Sequence, residues 1–331
     1  MTKSIIAYGA YLPFLRIKRD EYISSLGSCT AAIKEKTVMD TDEDVVTMAV
    51  AAGRKAIRGI DAAEIGALAL ASSNFPYQEK LAAGTVMEAL GLDNSILTGQ
   101  HSGSTMAGSE AFMAALGLLD QSDKKYALVI ISDAPATDAA QDMDHGLGAA
   151  ACALLLAQDE PGLEFEGVSA HVTESLGLRY RLPGETNLRD IGVKAYGSQA
   201  YNNTMSSAIT GLLNKLERKA ADYKYAVLHQ NDIKTAAGLA KKMGFKDEQL
   251  QKGVTYDRVG DSGACSPFLG VCTLMDSIGA GEKVIICSYG SGGGSQALSF
   301  TCTKQLAGKS FDDDEKRYID YIQYLKIKKK L

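Results

Sequence analysis

Residues 66–73, with the sequence GALALASS, decide the fold, because a related stretch, YAVLHQ at 225–230, returns in the second half of the chain. Apolar runs of this length are typical of strands that are buried on both faces of a sheet. Three further segments return in the same order. The pairs are SGSTMAG at 102–108 with GDSGACSP at 260–267, YALVIISD at 126–133 with KVIICSY at 283–289, and 149–157 with 296–303. Four elements repeated in order indicate an internal duplication.

Each half therefore predicts the order strand, helix, strand, helix, strand, with one half at 1–160 and the other at 161–310. The predicted fold class is α/β, with two pseudo-symmetric βαβαβ halves whose sheets are covered by helices on both faces. Two such halves packed face to face would bring the starts of two central helices, at 102–105 and 260–263, into one cleft. Helix starts carry free N–H groups and partial positive charge, which stabilise an anion or an enolate.

Three outer helices are predicted from the spacing of apolar residues. They span 43–57, 81–90 and 236–243. The first is expected to be capped by Thr41-Asp42. The stretch 164–203 is richer in Arg, Tyr and Gly, and we expect it to cross between the halves and to form part of the rim of the cleft.

The composition of the 331 residues is that of a globular protein, with 46% hydrophobic residues and a formal net charge of −5. This charge rules out a broad basic footprint for nucleic acid. The longest apolar runs are about nine residues, well short of the roughly 20 that span a membrane. Six cysteines without a CxxC pair indicate a reduced, cytoplasmic protein. Four histidines without ligand spacing predict no metal site.

The chain resembles the thiolase superfamily, and within it the hydroxymethylglutaryl-CoA synthase branch, especially its short archaeal and bacterial forms. Six segments carry the resemblance, at 5–13, 72–92, 107–119, 225–245, 259–270 and 284–300. The resemblance implies a thiolase fold with five layers in the order α-β-α-β-α, a homodimer or pseudo-dimer core, and acyl-CoA or acyl-carrier substrates.

Two chemical residues of this family are missing from the chain. Active members carry a nucleophilic Cys at the start of the first central helix, where a helix N-terminus lowers the thiol pKa. Here Thr105 occupies that position, and Ser104 lies next to it. The family's general acid/base Glu falls near Ser73, and no carboxylate follows before Glu79. A hydroxyl could replace the thiol only with a strong base beside it.

The third chemical residue of the family is retained as His229, at the end of a second-half strand. In the superfamily this His binds the thioester carbonyl oxygen, whereas the alternative interpretation is a strand-end His satisfied by backbone groups. Lys234 matches a family lysine near the CoA phosphates, and it could equally be a solvated helix lysine. A CoA ester is therefore the expected ligand, and no covalently bound cofactor is expected.

Asp261 stands where family members often carry Asn. A carboxylate there opposes anion stabilisation unless it is paired or protonated, so we favour a helix N-cap that accepts from Ser262 or Gly263 onward. The run at 290–295 resembles the family's glycine loop, and its backbone, at Gly290, Gly292 and Gly293, is expected to close against the active site. Cys265 lies one turn too deep in the family pattern and is interpreted as a core residue.

An amphipathic tail at 311–331 begins with acidic residues and ends with lysines. Its apolar face is predicted from helical spacing. This face comprises Tyr318, Tyr321, Ile322 and Leu325. The tail is either a surface helix packed on its own domain or a docking segment for a partner.

Three functions fit these observations. The first is a non-nucleophilic subunit of a heteromeric acyltransferase, working beside a thiolase with the catalytic Cys and a small zinc-ribbon/OB-fold protein, as the resemblance to the diacetylphloroglucinol-forming complex implies. The second is a stand-alone acyl-CoA condensing enzyme with a mechanism that does not use Cys. The third is an acyl-CoA-binding pseudo-enzyme. The joint loss of Cys and Glu within a well-kept family pattern favours the first.

Overall fold

The computed structural model describes residues 1–175, 178–306 and 315–329. The longer strands match the repeated apolar segments. The strands are β1 (Lys3–Tyr11), β2 (Leu15–Lys18), β3 (Glu35–Val38), β4 (Ile65–Ala71), β5 (Leu97–His101), β6 (Tyr126–Asp133), β7 (Ala150–Gln158), β8 (Leu163–Val172), β9 (Arg179–Tyr180), β10 (Arg189–Asp190), β11 (Tyr225–Leu228), β12 (Lys283–Gly290), β13 (Gly294–Cys302) and β14 (Arg317–Ile319).

The described α-helices fall between these strands or after the last of them. They are α1 (Arg19–Leu26), α2 (Val45–Ala56), α3 (Ala82–Leu90), α4 (Ala107–Gln121), α5 (Lys194–Lys215), α6 (Ile233–Lys242), α7 (Asp247–Leu250), α8 (Tyr256–Val259), α9 (Ser266–Cys272) and α10 (Tyr321–Ile327). Within the described ranges, no helix is both long and apolar enough to cross a membrane.

The main sheet confirms the internal duplication. Its described strands run in the order β11-β12-β13-β8-β1-β7-β6-β4-β5. In the first half β4 pairs in parallel with β5 and β6, and antiparallel pairs then lead through β7 to β1. In the second half β11 pairs in parallel with β12, and antiparallel pairs lead through β13 to β8. The two halves join through a short antiparallel contact between β1 and β8.

The layers follow the predicted α-β-α-β-α order. Helices α2 and α3 cover the outer face of the first half, and α5 and α6 cover the outer face of the second. Helices α4 and α9 lie between the first-half and second-half portions of the main sheet. Strand β4 turns Ala67, Ala69 and Ala71 toward this central layer and the larger Leu68 and Leu70 outward. Alternation of this kind follows from the two-residue period of a strand, and the small inner residues let α4 approach closely.

Aromatic rings connect the two halves across the central layer. Phe112 of α4 lies with its ring centroid 5.8 Å from that of Phe268 in α9 and 5.5 Å from that of Phe300 in β13. All three side chains are fully buried. Tilted and edge-on ring pairs add to the area that the rings bury, so this cluster fixes the spacing of the central helices.

The caps and helix starts differ from the sequence expectation. Helix α2 is capped by Asp44, whose carboxylate accepts from the N–H groups of Val46 and Thr47, while the Thr47 hydroxyl accepts from the Asp44 N–H. This reciprocal box satisfies free donors that Thr41-Asp42 are too far upstream to reach. The helical patterns expected from residues 102 and 260 begin later, at Ala107 and Ser266, because irregular loops precede both helices.

Removal of the Asp44 cap gives a modest prediction. Asp44→Ala should lower the free energy of unfolding by about 1 kcal/mol, because two N–H groups lose their acceptor. Urea unfolding followed by circular dichroism measures the change. Asp42→Ala is the matched control, since Asp42 does not cap the helix, and an equal loss in both variants would contradict the assignment.

The tail packs on its own domain, and its helix is shorter than expected. Tyr318 lies in β14, which pairs in parallel with β2, so the prediction that it shares a helix face with Tyr321 is wrong. Tyr321 and Tyr324 of α10 are buried against Tyr22 of α1. Ile322 is exposed. Most of the acidic start of the tail, at 311–314, lies outside the described residues.

Candidate functional site

Strand ends from both halves meet the starts of the central helices. In the first half, Ser73 follows β4 and Asp133 is the last residue of β6. In the second half, His229 directly follows β11 and Tyr289 lies next to the last residue of β12. The loops before α4 and α9 lie between them, and Thr105 belongs to the first of these loops. Carboxyl ends of parallel strands at a sheet edge are where α/β proteins place their sites.

The hydroxyls of Ser104 and Thr105, where the sequence analysis expects the family's Cys, are both held in hydrogen bonds. Thr105 Oγ1 donates to the carbonyl oxygen of Tyr289 at 2.6 Å, and Ser104 Oγ accepts from the Met106 N–H at 3.1 Å. An activated hydroxyl nucleophile needs its proton taken by a base, and a backbone carbonyl is not one. The geometry therefore leaves Thr105 as a bridge between the halves and gives it no activation.

Ser73, which the sequence analysis places near the family's Glu, contacts a carboxylate that the sequence analysis does not single out. Ser73 Oγ donates to Asp133 Oδ1 at 2.9 Å, and the N–H of Ala264 donates to Asp133 Oδ2 at 2.7 Å. Burial raises the pKa of Asp133, and these hydrogen bonds oppose the increase. Because both oxygens are engaged, Asp133 positions the start of the second central helix. A carboxylate at the end of a buried apolar strand was the signal that could have identified it.

His229 is 1% exposed and is held through its backbone. Its N–H donates to the Cys287 carbonyl at 2.9 Å, and its carbonyl accepts from the Tyr201 hydroxyl at 2.6 Å. The side-chain Nδ1 has no hydrogen-bond partner within the described ranges. Burial lowers the pKa of His229 to about 4, nearby Arg179 adds to this, and Asp261 opposes it. The imidazole is therefore neutral near pH 7, and its Nδ1 keeps an unused hydrogen-bonding capacity.

Asp261 is fully buried and forms an ion pair. Its Oδ1 accepts from the Gly263 N–H at 2.9 Å, a contact expected from the sequence, but the prediction that Asp261 is a helix N-cap is wrong because α9 begins at Ser266. Its Oδ2 lies 2.5 Å from Nη1 of Arg179 in the hairpin β9–β10. Arg179 was missed, because only the Arg-rich composition of the rim pointed to it. Because Arg179 neutralises the charge of Asp261, this carboxylate does not oppose the stabilisation of an anion at the site.

The glycine turn between β12 and β13 closes against the start of α4. A Cβ on Gly290 would lie 2.4 Å from Ser104 Oγ, so only glycine fits without movement. Gly292 and Gly293 have φ values of +105° and +100°, a region that favours glycine. The turn also contacts the hairpin β9–β10, since Ser291 Oγ accepts from the Arg179 N–H at 3.0 Å.

Lys234 lies outside this cluster. It is exposed on α6 and lines a groove of about 280 Å³ between α5 and α6. Lys242 lines the same groove, two turns along the helix, so the groove carries two positive charges. Nothing in the described contacts joins Lys234 to His229, and its role at a phosphate stays a prediction.

Cys265, which lies near the start of the second central helix, is not an alternative nucleophile. Cys265 is fully buried with its Sγ 3.4 Å from that of Cys152, and burial raises the pKa of its thiol, in agreement with the core interpretation. All six cysteines are free. Across the described segments, no group of three His, Cys, Asp or Glu side chains is arranged to hold a metal ion.

Acid should weaken the fold through His229. Its pKa is about 4 in the folded chain against a usual 6.5, so the unfolded state binds more protons between these values. The free energy of unfolding should fall by up to about 3 kcal/mol as the pH drops from 6.5 to 4. Urea titrations at several pH values measure this, with His229→Gln expected to flatten the slope and His171→Gln, on a partly exposed strand, expected to keep it. An unchanged slope in His229→Gln would contradict the assignment.

The fold and the paired central helices define the chain as a thiolase-superfamily protein. A profile of the family 3-Oxoacyl-[acyl-carrier-protein (ACP)] synthase III C terminal matches residues 213–302. The structure is similar to an HMG-CoA synthase complexed with CoA, with a TM-score of 0.89 and 19% identity, covering 98% of this chain and 90% of that one. It is also similar to MvaS in complex with 3-hydroxy-3-methylglutaryl coenzyme A, with a TM-score of 0.88 and 18% identity, covering 99% of this chain and 92% of that one.

Proteins of similar sequence indicate which family within the superfamily the chain belongs to. The hydroxymethylglutaryl-CoA synthase of Pyrobaculum arsenaticum is 30% identical, covering 99% of this chain and 98% of that protein. The corresponding synthase of Methanocaldococcus jannaschii is 31% identical, covering 99% of each. The chain belongs to the hydroxymethylglutaryl-CoA synthase family.

Proposed function

We propose that the chain binds a CoA ester in this cleft and promotes acyl-CoA condensation without forming an acyl-enzyme on itself. The observation that carries the proposal is a buried, neutral His229 whose Nδ1 has no partner among the described residues, together with a Thr105 whose hydroxyl is held by the Tyr289 carbonyl. Full-length similarity to hydroxymethylglutaryl-CoA synthases supports the condensing chemistry. A structural relative was solved with CoA, which supports the ligand class.

His229 would donate a hydrogen bond to the thioester carbonyl oxygen. A neutral donor in a buried site polarises this carbonyl and stabilises negative charge on its oxygen. The Asp261–Arg179 pair keeps the neighbouring carboxylate neutralised, so it does not repel that charge. Ser73 and Asp133 would hold the first-half wall of the cleft, and Gly290, Gly292 and Gly293 would close it.

Calorimetric titration with acetyl-CoA tests the binding, and release of free CoA from acetyl-CoA plus acetoacetyl-CoA tests the condensation. The proposal expects saturable binding and turnover by the chain alone. Binding without turnover in any combination of proteins would favour the acyl-CoA-binding pseudo-enzyme. Absence of binding would contradict the proposal.

A second candidate is the non-nucleophilic subunit of a heteromeric acyltransferase, favoured by the unactivated Thr105. A thiolase with a catalytic Cys would hold the acyl group, and a small zinc-ribbon/OB-fold protein would complete the complex. Co-purification from the source organism separates the two. Turnover that requires the partner thiolase would support the second candidate, and elution as a single species with full activity would remove it.

The chain would also pair with a second copy. Strand β5 is the edge of the main sheet, and Leu97 at its start is 38% exposed. An unpaired edge of this kind is a template for another strand. We propose a homodimer joined along β5, to be tested by light scattering, with Thr98→Pro as the variant expected to give monomers.

The six free cysteines suit the cytoplasm.

A further inference from the structure

We infer that the C-terminal clamp, residues 317–328, positions both members of the Asp261–Arg179 pair from a distance. The inference takes from the proposed function only that this pair belongs to the site. It assigns to the end of the chain a role in the geometry of the cleft. Two routes of direct contacts lead from the clamp to the Asp261–Arg179 pair.

The clamp contacts an ionic cluster around Asp144, a fully buried residue. The Tyr324 hydroxyl donates to Asp144 Oδ2 at 2.6 Å, and Lys328 Nζ lies 3.0 Å from Asp144 Oδ1. From the other side, Lys36 Nζ donates to the Asp144 carbonyl and lies 3.4 Å from its Oδ2. Burial lowers the pKa of Lys36 to about 8, and Asp144 opposes this. Two of the carboxylate's contacts therefore come from the clamp.

The first route runs along the chain from Asp144 to Asp261. The Asp261 N–H donates to the Gly146 carbonyl at 2.7 Å, and the Gly148 N–H donates to the Asp261 carbonyl at 2.9 Å. The loop fits closely here, because a Cβ on Gly148 would lie 1.8 Å from the Val259 carbonyl oxygen. A loop bonded on both sides of Asp261 fixes the direction in which that side chain points. Release of Asp144 would free this loop.

The second route reaches Arg179 through the hairpin that carries it. Lys328 Nζ donates to the Thr137 carbonyl at 3.0 Å, and Thr137 Oγ1 donates to the Leu188 carbonyl at 2.8 Å. The Leu188 N–H donates back to the Ala136 carbonyl at 2.7 Å. Leu188 immediately precedes β10, which pairs with the strand that begins at Arg179. Lys328 therefore contacts both routes.

A stabilising cluster with no influence on the cleft is the competing explanation. It predicts that weakening the clamp lowers stability and loosens only nearby residues. The positioning role predicts that the cleft changes as well. The two explanations therefore differ at Asp261 and His229, which the clamp does not touch directly.

The test compares Lys328→Met and Tyr324→Phe with Lys326→Met, a change at an exposed position of the same helix. Hydrogen exchange measured by mass spectrometry reports on peptides covering 144–150 and 257–263. We expect exchange to quicken about tenfold in both peptides for the two clamp variants, and to stay unchanged for Lys326→Met. Lys328→Arg should restore the native rate, because it keeps the charge.

Titration of the His229 ring by NMR is the second readout, with His229→Gln assigning the signal. Water entering a loosened cleft should raise the His229 pKa by ~0.5 or more in the clamp variants. Neither readout uses CoA, so a failure of the proposed function leaves this test intact. Exchange that quickens only at 315–329 and 35–38, with an unchanged His229 titration, would overturn the inference.

Discussion

Arg179→Met should lower the free energy of unfolding by about 3–5 kcal/mol, the largest effect expected from a single substitution in this site. The change leaves the Asp261 carboxylate fully buried, with the Gly263 N–H as the one remaining donor to it among the described residues. An unpaired buried charge costs far more than the net contribution of the pair. Urea unfolding at neutral pH measures the loss.

The double variant Arg179→Met, Asp261→Asn is the control for this prediction. It removes both charges, and we expect it to recover most of the lost stability. Equal losses in the single and double variants would show that Arg179 acts through packing of its side chain, and a loss below ~1 kcal/mol in the single variant would show that the carboxylate is not isolated from water.

His229→Gln should reduce the condensation rate about 10²- to 10³-fold, with little change in the thermal midpoint at pH 7. The His229 ring has an Nδ1 with no hydrogen-bond partner among the described residues, whereas the backbone bonds of His229 to Cys287 and Tyr201 do not depend on the ring. Release of free CoA under saturating substrate measures the rate.

The same substitution at His171 is the comparison for this prediction. His171 lies on β8 and pairs with Ser295, outside the cluster that surrounds His229. We expect His171→Gln to keep the native rate. A rate in His229→Gln within about twofold of the native value would exclude the ring from the chemistry.

The fold could be predicted from the sequence because its signal is local and repeated. The apolar runs at 66–73 and 225–230 form β4 and β11 at matching places in the two halves. Each run needs only its own composition to indicate a buried strand. The layer order then follows from the duplication and from the family resemblance.

The site could be predicted only in part. His229 and Thr105 could be proposed as site residues from the sequence, because each lies within a segment that carries the family resemblance. Asp133 and Arg179 were not, because their roles depend on partners far away in the chain, at Ala264 and at Asp261. No periodicity or spacing within one segment reports such a contact.

The tail shows the same limit. Helical spacing placed Tyr318 on the face of a helix, but pairing of β14 with β2 overrides that local pattern. The buried Lys36 and Asp144 read as ordinary charged residues in the sequence. Only the folded chain brings them to Tyr324 and Lys328.

Intact-protein mass spectrometry after incubation with acetyl-CoA tests whether the chain forms an acyl-enzyme on itself. We predict an unchanged mass, because Thr105 Oγ1 is bonded to a backbone carbonyl and no base contacts it in the described part of the chain. A stable added acetyl group that maps to residues 102–106 would contradict it.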